Sequence, residues 1–365
     1  MRPANIYNLQ PGAVLAKAVY NNEANILLDK KIKLNDKYIA RIKEIGVRTV
    51  FIEDEISEGI FIKDVIDEDI RIDTTKIIRK FLKLCETVKD YNTIKFDFSK
   101  LYQNSKKIVE EFSLRKEKIY VPVIDVKNAE NYTAAHSVNT GLIALAIGFK
   151  LNYNKEQLTE LLIGSILHDV GKSKIPHSIL DKPGRLTDEE YNTIKMHSNY
   201  GFLILSNFNE LSDAIKNICL RHHEKANGQG YPIGIKENDI DEYSKICALA
   251  DVYDALTSDR VYKGRMMPDM AIKIIKGAAG THFSKKIVDA FLNCAQLYPI
   301  GTIVQFLNGI IGIVLQYRNE SNFKVRLLTN EKQELLKRFS VIDAGMEDFR
   351  VLKTFDDLPQ TIKIS

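Results

Sequence analysis

The sequence predicts a mainly α-helical protein, in which a long helical domain lies between two small modules that contain β-strands. Three observations support this fold class. Apolar residues recur with helical periodicity in seven segments between residues 133 and 297. Short apolar runs with turn residues between them occupy the first 53 residues and the part after Pro299. The length of 365 residues suggests two or three domains.

Residues 1–72 are predicted to form an N-terminal α+β module. Two short β runs flank the polar turn at Asn21–Glu23. Asn35 can cap a helix that continues to Ile45, and a return strand is expected over residues 48–52. The module contains no histidine, cysteine or glycine-rich loop, so the sequence indicates no chemistry in it.

Residues 73–119 are predicted to form a helical connector. Apolar residues at helical spacing, among them Ile78, Phe81 and Ile108, alternate with lysines and glutamates. A solvated connector is the expected role of helices with this much charge. The alternative is that the two helices pair with those of a second copy and form a homodimer.

Residues 120–298 are predicted to form the helical domain, and residues 299–365 a C-terminal β-rich module. The expected helices span 133–150, 156–168, 187–206, 211–223, 241–257, 268–277 and 284–297. Thr187 and Glu190 have the spacing of a capping box. In the last module, Asn308-Gly309 between apolar runs predicts a two-residue hairpin, and residues 323–328 supply another strand.

The composition limits the classes of function. Charged residues make up 27% of the chain and hydrophobic residues 45%, as in ordinary globular proteins. The net charge of +4 is small for this length and gives no indication of nucleic-acid binding. The four cysteines have no paired spacing, as is typical of reduced core thiols. With no signal core and no apolar run of about 18 residues, a cytoplasmic protein without a membrane span is expected.

The stretch Leu161–Lys174, LLIGSILHDVGKSK, contains the first chemical motif. An apolar helix is expected to end at the adjacent His168 and Asp169 and to break at Gly171. A neutral imidazole beside a carboxylate can bind a hard or borderline cation, and Lys172 suits an anionic oxygen next to that cation. A single His-Asp pair is more often surface chemistry, so the interpretation depends on the other histidines.

All seven histidines lie in the helical domain. His177 and His282 have no candidate partners and are expected to be structural. The other five histidines and two aspartates form a candidate set of metal ligands: His136, His168, Asp169, His197, His222, His223 and Asp251. Asp251 lies on an apolar helix, where an unpaired carboxylate is costly. This donor set favours two ions such as Fe, Mn or Zn over Mg, and a pair of metals about 3.5–4 Å apart suits phosphoryl chemistry.

Two further segments have features of phosphate or nucleotide binding. Residues 227–232, NGQGYP, follow the His pair as a glycine-rich loop that carries Tyr231. A substrate-facing loop is expected there, and a bare turn is the alternative. Arg260 and Lys263 follow Asp251 by nine and twelve residues. Both cations could bind the oxygens of a phosphodiester. A solvated basic turn is the alternative.

The order of these motifs resembles the HD-GYP family, a branch of the HD phosphohydrolase superfamily. The resemblance covers about residues 120–297, from the first histidine through HD-x-G-K, HHE and GYP to ALTSxRxYK. It implies an all-helical catalytic core and a phosphodiesterase that hydrolyses cyclic di-GMP to pGpG in bacterial signalling, with the further cut to GMP left open. It also implies two divalent transition-metal ions, Fe or Mn, as cofactors.

The resemblance implies a role for each matching residue. One metal has four ligands: His136, His168, Asp169 and Asp251. The second metal shares Asp169 as a bridge and has three further ligands: His197, His222 and His223. Lys172 stabilises charge on the scissile phosphate. The remaining substrate contacts are Arg260 and Lys263 at phosphate oxygens and Gly230, Tyr231 and Pro232 in the loop on the guanine side.

The sequence departs from the family pattern at two positions. Tyr132 stands where some members have a glutamate that supports a third metal, and Glu130, the nearest acid, is off that helical face, so two metals are expected. Asn227 stands where members usually have aspartate. Two alternatives to a cyclic di-GMP phosphodiesterase are a catalytically slow cyclic-dinucleotide-binding scaffold and a hydrolase of a mixed G/A cyclic dinucleotide.

Overall fold

The computed structural model describes residues 1–21, 25–114, 132–182, 184–259, 264–317, 322–344, 349–359 and 362. Within these ranges the helices are α1 (Asp36–Glu44), α2 (Glu68–Thr87), α3 (Ser99–Leu114), α4 (Tyr132–Lys150), α5 (Lys155–Leu167), α6 (His177–Leu180), α7 (Asp188–Lys195), α8 (His197–Ser206), α9 (Asp213–Arg221), α10 (Glu242–Thr257), α11 (Pro268–Gly277) and α12 (Lys285–Leu292). The strands are β1 (Arg2–Asn5), β2 (Val14–Leu15), β3 (Val19–Tyr20), β4 (Ile26–Leu28), β5 (Thr49–Glu53), β6 (Ile303–Phe306), β7 (Ile311–Tyr317), β8 (Phe323–Thr329), β9 (Leu335–Ala344) and β10 (Val351–Phe355). The predicted fold class, mainly α with sheet modules at both ends, is confirmed.

The N-terminal module contains the predicted strands and helix. β1 and β2 pair with β5 in an antiparallel sheet of order β1-β5-β2, and β3 pairs with β4. The side chain of Asn35 accepts a hydrogen bond from the amide of Tyr38 and caps α1. An N-terminal cap of this kind satisfies one of the amides that a helix leaves unpaired.

The C-terminal module is a five-stranded antiparallel sheet of order β10-β6-β7-β8-β9. The Asn308-Gly309 turn joins β6 to β7, and Gly309 has a φ of 87°, which favours glycine. A hairpin is present as predicted, but its loop has three residues, 307–309, and not two, because the amide of Phe306 bonds to the carbonyl of Ile310. The strand beginning at Phe323 is confirmed. β9 and β10 were not predicted.

The two β modules pack against each other. Phe51 and Ile56 share one apolar cluster with residues of the C-terminal sheet such as Ile313. The guanidinium of Arg2 forms ion pairs with both Asp54 and Asp357, each at 2.8 Å. Contacts across about 350 residues of sequence leave no local pattern, so the sequence did not predict this association.

Helices α2 and α3 belong to the same apolar core as the helices that follow them. Buried residues of these two helices, including Phe81, Cys85 and Leu101, share a cluster with residues of α4 and α5. The prediction of a solvated connector is therefore wrong for residues 73–114, the part of it that the structure describes. Most apolar residues of these two helices are used in contacts within the chain, and the homodimer stays a prediction.

The helix predicted over residues 187–206 is two helices, α7 and α8, which meet at Met196. The capping box of Thr187 and Glu190 is present at the start of α7. The predicted last helix also ends early, at Leu292. Among the described residues, no helix combines the length and apolar character that a membrane crossing requires.

Candidate metal centre

Five helices bring the candidate ligands to one place, mostly from helix ends. His136 lies in the second turn of α4, and Asp251 lies in the middle of α10. The other ligands lie where helices begin or end: His168 and Asp169 after α5, His197 at the start of α8, and His222 and His223 after α9. A residue at a helix end can point its side chain along the helix axis, so several helices can converge on one point.

The seven predicted ligands form two groups within which all ligand atoms lie within 4.8 Å of one another. One group contains His136, His168 and Asp251, and the other contains Asp169, His197, His222 and His223. In the first group, the Nε2 atom of His136 lies 3.0 Å from Oδ1 of Asp251. Donors of this kind and number suit a borderline divalent cation in each group.

Asp169 lies between the two groups and turns one carboxylate oxygen toward each. Its Oδ2 atom lies 3.2 Å from Nε2 of His168 and 3.8 Å from Nε2 of His136. Its Oδ1 atom lies 3.5 Å from Nε2 of His197 and 3.9 Å from Nε2 of His222. A carboxylate in this position can bridge two cations.

Hydrogen bonds on the far side of each ring fix the tautomer of three histidines. Nδ1 of His168 lies 2.7 Å from the carbonyl oxygen of Ser165, and Nδ1 of His197 lies 2.7 Å from that of Ile194. Nδ1 of His222 contacts the carbonyl of Cys219 at 3.0 Å. A carbonyl only accepts, so each Nδ1 carries the proton and each Nε2 presents a lone pair to the centre.

These lone pairs need a cation. Nε2 of His168 and Oδ1 of Asp169 are buried and have no hydrogen-bond partner in the described part of the chain. Nε2 of His197 lies only 3.2 Å from Nε2 of His222, although both atoms are acceptors. Buried acceptors without donors are costly, and a cation in each group removes that cost. The residues therefore fit a pair of metal ions.

The titration of the ligands also favours metal binding at neutral pH. Burial lowers the pKa of His197 to about 4 and that of His222 to about 3. Burial also holds the pKa of His223 well below its usual value. Burial opposes ionisation of Asp169, but His168 and Lys172 nevertheless keep the pKa of that carboxyl well below its usual range. At neutral pH, His197, His222 and His223 are thus neutral imidazoles and Asp169 is an ionised carboxylate, the forms that bind metals.

The predicted lysine and the glycine-rich loop both lie at the rim of the centre. Nζ of Lys172 lies 2.5 Å from Oδ2 of Asp169, and 24% of its side chain is exposed. The ring of Tyr231 stacks on that of His223 with centroids 4.6 Å apart. A Cβ atom on Gly230 would lie 2.5 Å from the Cα atom of Glu224, so only glycine allows this approach. Pro232, the residue after Tyr231, is half-buried.

Comparison with known proteins agrees with this geometry. A family model described as HD domain matches residues 121–287. A cyclic di-GMP phosphodiesterase of Pseudomonas aeruginosa is 31% identical, over 65% of this chain and 58% of that relative. Residues 121–287 thus belong to the HD-domain family, and the chain is similar to its HD-GYP branch. The resemblance found in the sequence is confirmed.

One further relative and one solved structure extend the comparison. A 3′3′-cGAMP-specific phosphodiesterase of Vibrio cholerae is 32% identical, over 52% of this chain and 37% of that relative. A solved HDG"Y"P protein from Bdellovibrio bacteriovorus has the same fold, with a TM-score of 0.50 over 79% of this chain and 97% of that one, at 17% identity. The chain spans less than two thirds of the length of either curated relative.

Sequence reasoning gave no role to Glu224, the third residue of the HHE motif in this HD domain. Glu224 is 3% exposed. Its carboxylate accepts hydrogen bonds from the backbone amides of Ile233 at 2.7 Å, Gly234 at 3.1 Å and Ile235 at 3.2 Å. Glu224 therefore anchors the chain that follows GYP directly beside the two histidines.

Asp254 was missed as well. It is fully buried, and its Oδ2 atom lies 2.6 Å from Nδ1 of His136. It lies three residues after Asp251 on α10, so the two carboxylates share one helix face. That spacing was the available signal, because a carboxylate behind a ligand histidine is a common supporting group.

Three residues named from the sequence cannot be located, and two histidines lie away from the centre. Arg260, Lys263 and Glu130 lie outside the described residues. His177 lies on the surface between Glu86 and Asp181, and His282 stacks on Phe283. Neither histidine joins a metal-binding group of the described residues, in agreement with the structural roles expected for them.

Proposed function

We propose that this HD-domain protein is a metal-dependent phosphodiesterase that hydrolyses cyclic di-GMP to pGpG, with GMP as the product of a further cut. The observation that carries the proposal is the position of Asp169 between two groups of closely spaced candidate ligands, each of which contains histidine ring nitrogens. The relatives named as cyclic di-GMP phosphodiesterases support the choice of substrate.

Two divalent transition-metal ions, Fe or Mn, are the proposed cofactors. One would be held by His136, His168 and Asp251, the other by His197, His222 and His223, and Asp169 would serve both. Bound metals of this kind polarise a phosphoryl oxygen and activate water at neutral pH. The buried histidine acceptors favour these ions over Mg, which prefers oxygen ligands.

The remaining residues bind and orient the substrate. The ammonium of Lys172 lies beside the bridging carboxylate, where it can donate to a non-bridging phosphate oxygen and stabilise the charge that develops in the transition state. Tyr231 offers a half-exposed aromatic ring at the rim, suited to a purine face. Arg260 and Lys263 are proposed to hold the second phosphate.

The proposed setting is the bacterial cytoplasm. Four buried free cysteines are compatible with a reducing compartment. The similar phosphodiesterases described above are those of Pseudomonas and Vibrio.

The direct test is turnover of cyclic di-GMP by protein purified without oxygen and loaded with Mn or Fe, with chromatographic identification of pGpG. Replacing Asp169 by Asn is expected to lower kcat by at least about 10³ and to lower metal content. Asp188→Asn, at an exposed position of α7, is the matched control. A wild-type protein that holds two metals and does not cleave cyclic di-GMP would refute the proposal.

A mixed G/A cyclic dinucleotide is the second candidate substrate, because a cGAMP-specific relative from Vibrio cholerae is also similar. The ratio of kcat/KM for the two dinucleotides, measured in one assay, decides between them. The non-catalytic scaffold is disfavoured, since all seven metal-ligand candidates are present and assembled. Binding of cyclic di-GMP without product would support it.

A further inference from the structure

A chain of side-chain hydrogen bonds leads from helix α2 to the first metal-binding group. The guanidinium of Arg71 on α2 donates to Oδ1 of Asn139 on α4 at 3.1 Å. Nδ2 of Asn139 donates to Oδ1 of Asp254 on α10 at 3.2 Å. Oδ2 of Asp254 lies 2.6 Å from Nδ1 of His136. Three helices are thus linked through four side chains.

The chemistry of these groups determines which side chain donates in each hydrogen bond of the series. A carboxylate only accepts, so Asn139 must turn its amino group toward Asp254. Its amide oxygen then faces Arg71, which only donates. Asn139 and Asp254 are fully buried, and His136 is 2% exposed. In such an environment each bond is stronger than in water, and an unmade bond is costly.

His136 differs from three other histidines of the centre in the group that orients it. His168, His197 and His222 are held by carbonyl oxygens at most four residues away in the chain. The Nδ1 atom of His136 is instead held by Asp254, 118 residues away. The position of its Nε2 atom, 3.0 Å from Asp251, therefore depends on how α10 and α4 are packed.

Helix α2 also contacts the other side of the centre. The ammonium of Lys174, in the short turn that follows Asp169, donates to the carbonyl oxygens of Cys85 and Val88 at the end of α2. One end of α2 is thus tied to His136 through side chains, and the other end to the turn of Asp169. A shift of α2 would act on both metal ligands.

We propose that Arg71 and Asn139 are positioning residues through which helix α2 sets the metal affinity of the group formed by His136, His168 and Asp251. The inference rests on the metal-dependent function proposed above. Without the guanidinium, Asn139 loses the partner of its oxygen and can rotate. Asp254 then loses one of its donors, and the ring of His136 is held less firmly against Asp251. The group of His197, His222 and His223 does not depend on this series of hydrogen bonds.

The test is a titration of metal-free protein with Mn, followed by calorimetry and by elemental analysis after gel filtration. Wild type is expected to bind two equivalents. Arg71→Met and Asn139→Leu should weaken one equivalent by roughly tenfold, the size usual for groups that support a ligand, and leave the other unchanged. Arg71→Lys, which keeps a donor, should restore part of the loss.

Matched controls separate positioning from general damage. Thr140→Val removes a buried hydroxyl next to Asn139 that has no hydrogen-bond partner in the described part of the chain. Lys80→Met removes an exposed charge from the same helix as Arg71. Both controls should bind two equivalents with wild-type affinity. If Asn139→Leu does not fold, Arg71→Met carries the test, because Arg71 is only partly buried.

Metal binding is measured without substrate, so the two proposals can fail separately. Wild-type affinity for both equivalents in Arg71→Met would overturn the positioning role, whatever the activity. Loss of both equivalents in that variant would also overturn it, as would a wild-type protein with only one metal. A normal two-metal titration without cleavage of cyclic di-GMP would refute the proposed substrate and leave the positioning role intact.

Discussion

Gly171 lies directly against the backbone of His197. A Cβ atom built on Gly171 would be 1.9 Å from the carbonyl oxygen of His197 and 2.4 Å from the amide nitrogen of Gly201. The turn that follows Asp169 therefore packs on the first turn of α8 without any side chain between them. This approach brings Oδ1 of Asp169 to 3.5 Å from Nε2 of His197.

Replacing Gly171 by Ala should displace α8 and weaken the second metal-binding group. Overpacking of this kind costs about 1–3 kcal/mol or more in the free energy of unfolding, and the metal held by His197 should be lost first. Urea unfolding and metal analysis measure the two effects. Gly277→Ala is the control, because a Cβ atom there meets nothing within 4 Å. Wild-type metal content in Gly171→Ala would contradict the expectation.

Replacing Glu224 by Gln should raise KM for the dinucleotide about tenfold, with a smaller change in kcat. Glutamine has one acceptor oxygen, so it cannot satisfy the amides of Ile233, Gly234 and Ile235, and a hydrogen bond to a charged group contributes about 1.5–3 kcal/mol. The metal content should not change. Steady-state kinetics and metal analysis test this, with Glu237→Gln just after the loop as control. A fall in kcat at unchanged KM would argue against a role in substrate binding.

Replacing Lys172 by Met should lower kcat by about 10² and leave KM nearly unchanged, because its charge acts mainly on the transition state. Metal affinity should stay the same or increase, since the ammonium at 2.5 Å competes with a metal for Oδ2 of Asp169. Lys172→Arg should retain part of the activity. Stopped-time product assays and Mn titration provide the two measurements, and loss of metal in Lys172→Met would contradict this assignment.

The metal-free protein should become less stable as the pH falls from about 6.5 toward 4. Burial lowers the pKa of His197 to about 4 and of His222 to about 3, whereas in the unfolded chain both lie near 6.5. In this range the unfolded chain binds more protons, so the free energy of unfolding falls by on the order of 1.4 kcal/mol per pH unit for each histidine.

Burial alone would lower the pKa of His136, but Asp251 and Asp254 raise it. The stabilisation that comes from protonated His136 is therefore complete below pH 6.5 and is lost only as the pH rises above that value. It does not cancel the effect of His197 and His222. Urea unfolding at pH 6.5, 5.75 and 5 measures the trend, and His222→Gln should reduce the slope. A free energy of unfolding that stays constant between pH 6.5 and 5 would contradict the prediction.

Much of the fold and of the site could be predicted because the evidence is local. Caps, apolar periodicity and the Asn308-Gly309 turn act within a few residues, so elements such as α1 and the β6-β7 hairpin were predicted correctly. The break at Met196 was missed, because the apolar pattern continues through it. The second helix, α8, begins at His197, against which the distant Gly171 packs.

The sequence by itself determined the family, the mainly helical fold and the set of residues able to bind metals, since motif order and residue chemistry are properties of the chain alone. The tertiary structure decided which oxygen of Asp169 faces which group, that Glu224 anchors the loop, and that Arg71 reaches His136 through Asn139 and Asp254. The physical reason is distance along the chain. These contacts join residues up to 118 positions apart, and only the packing of the helices brings them within reach of a hydrogen bond.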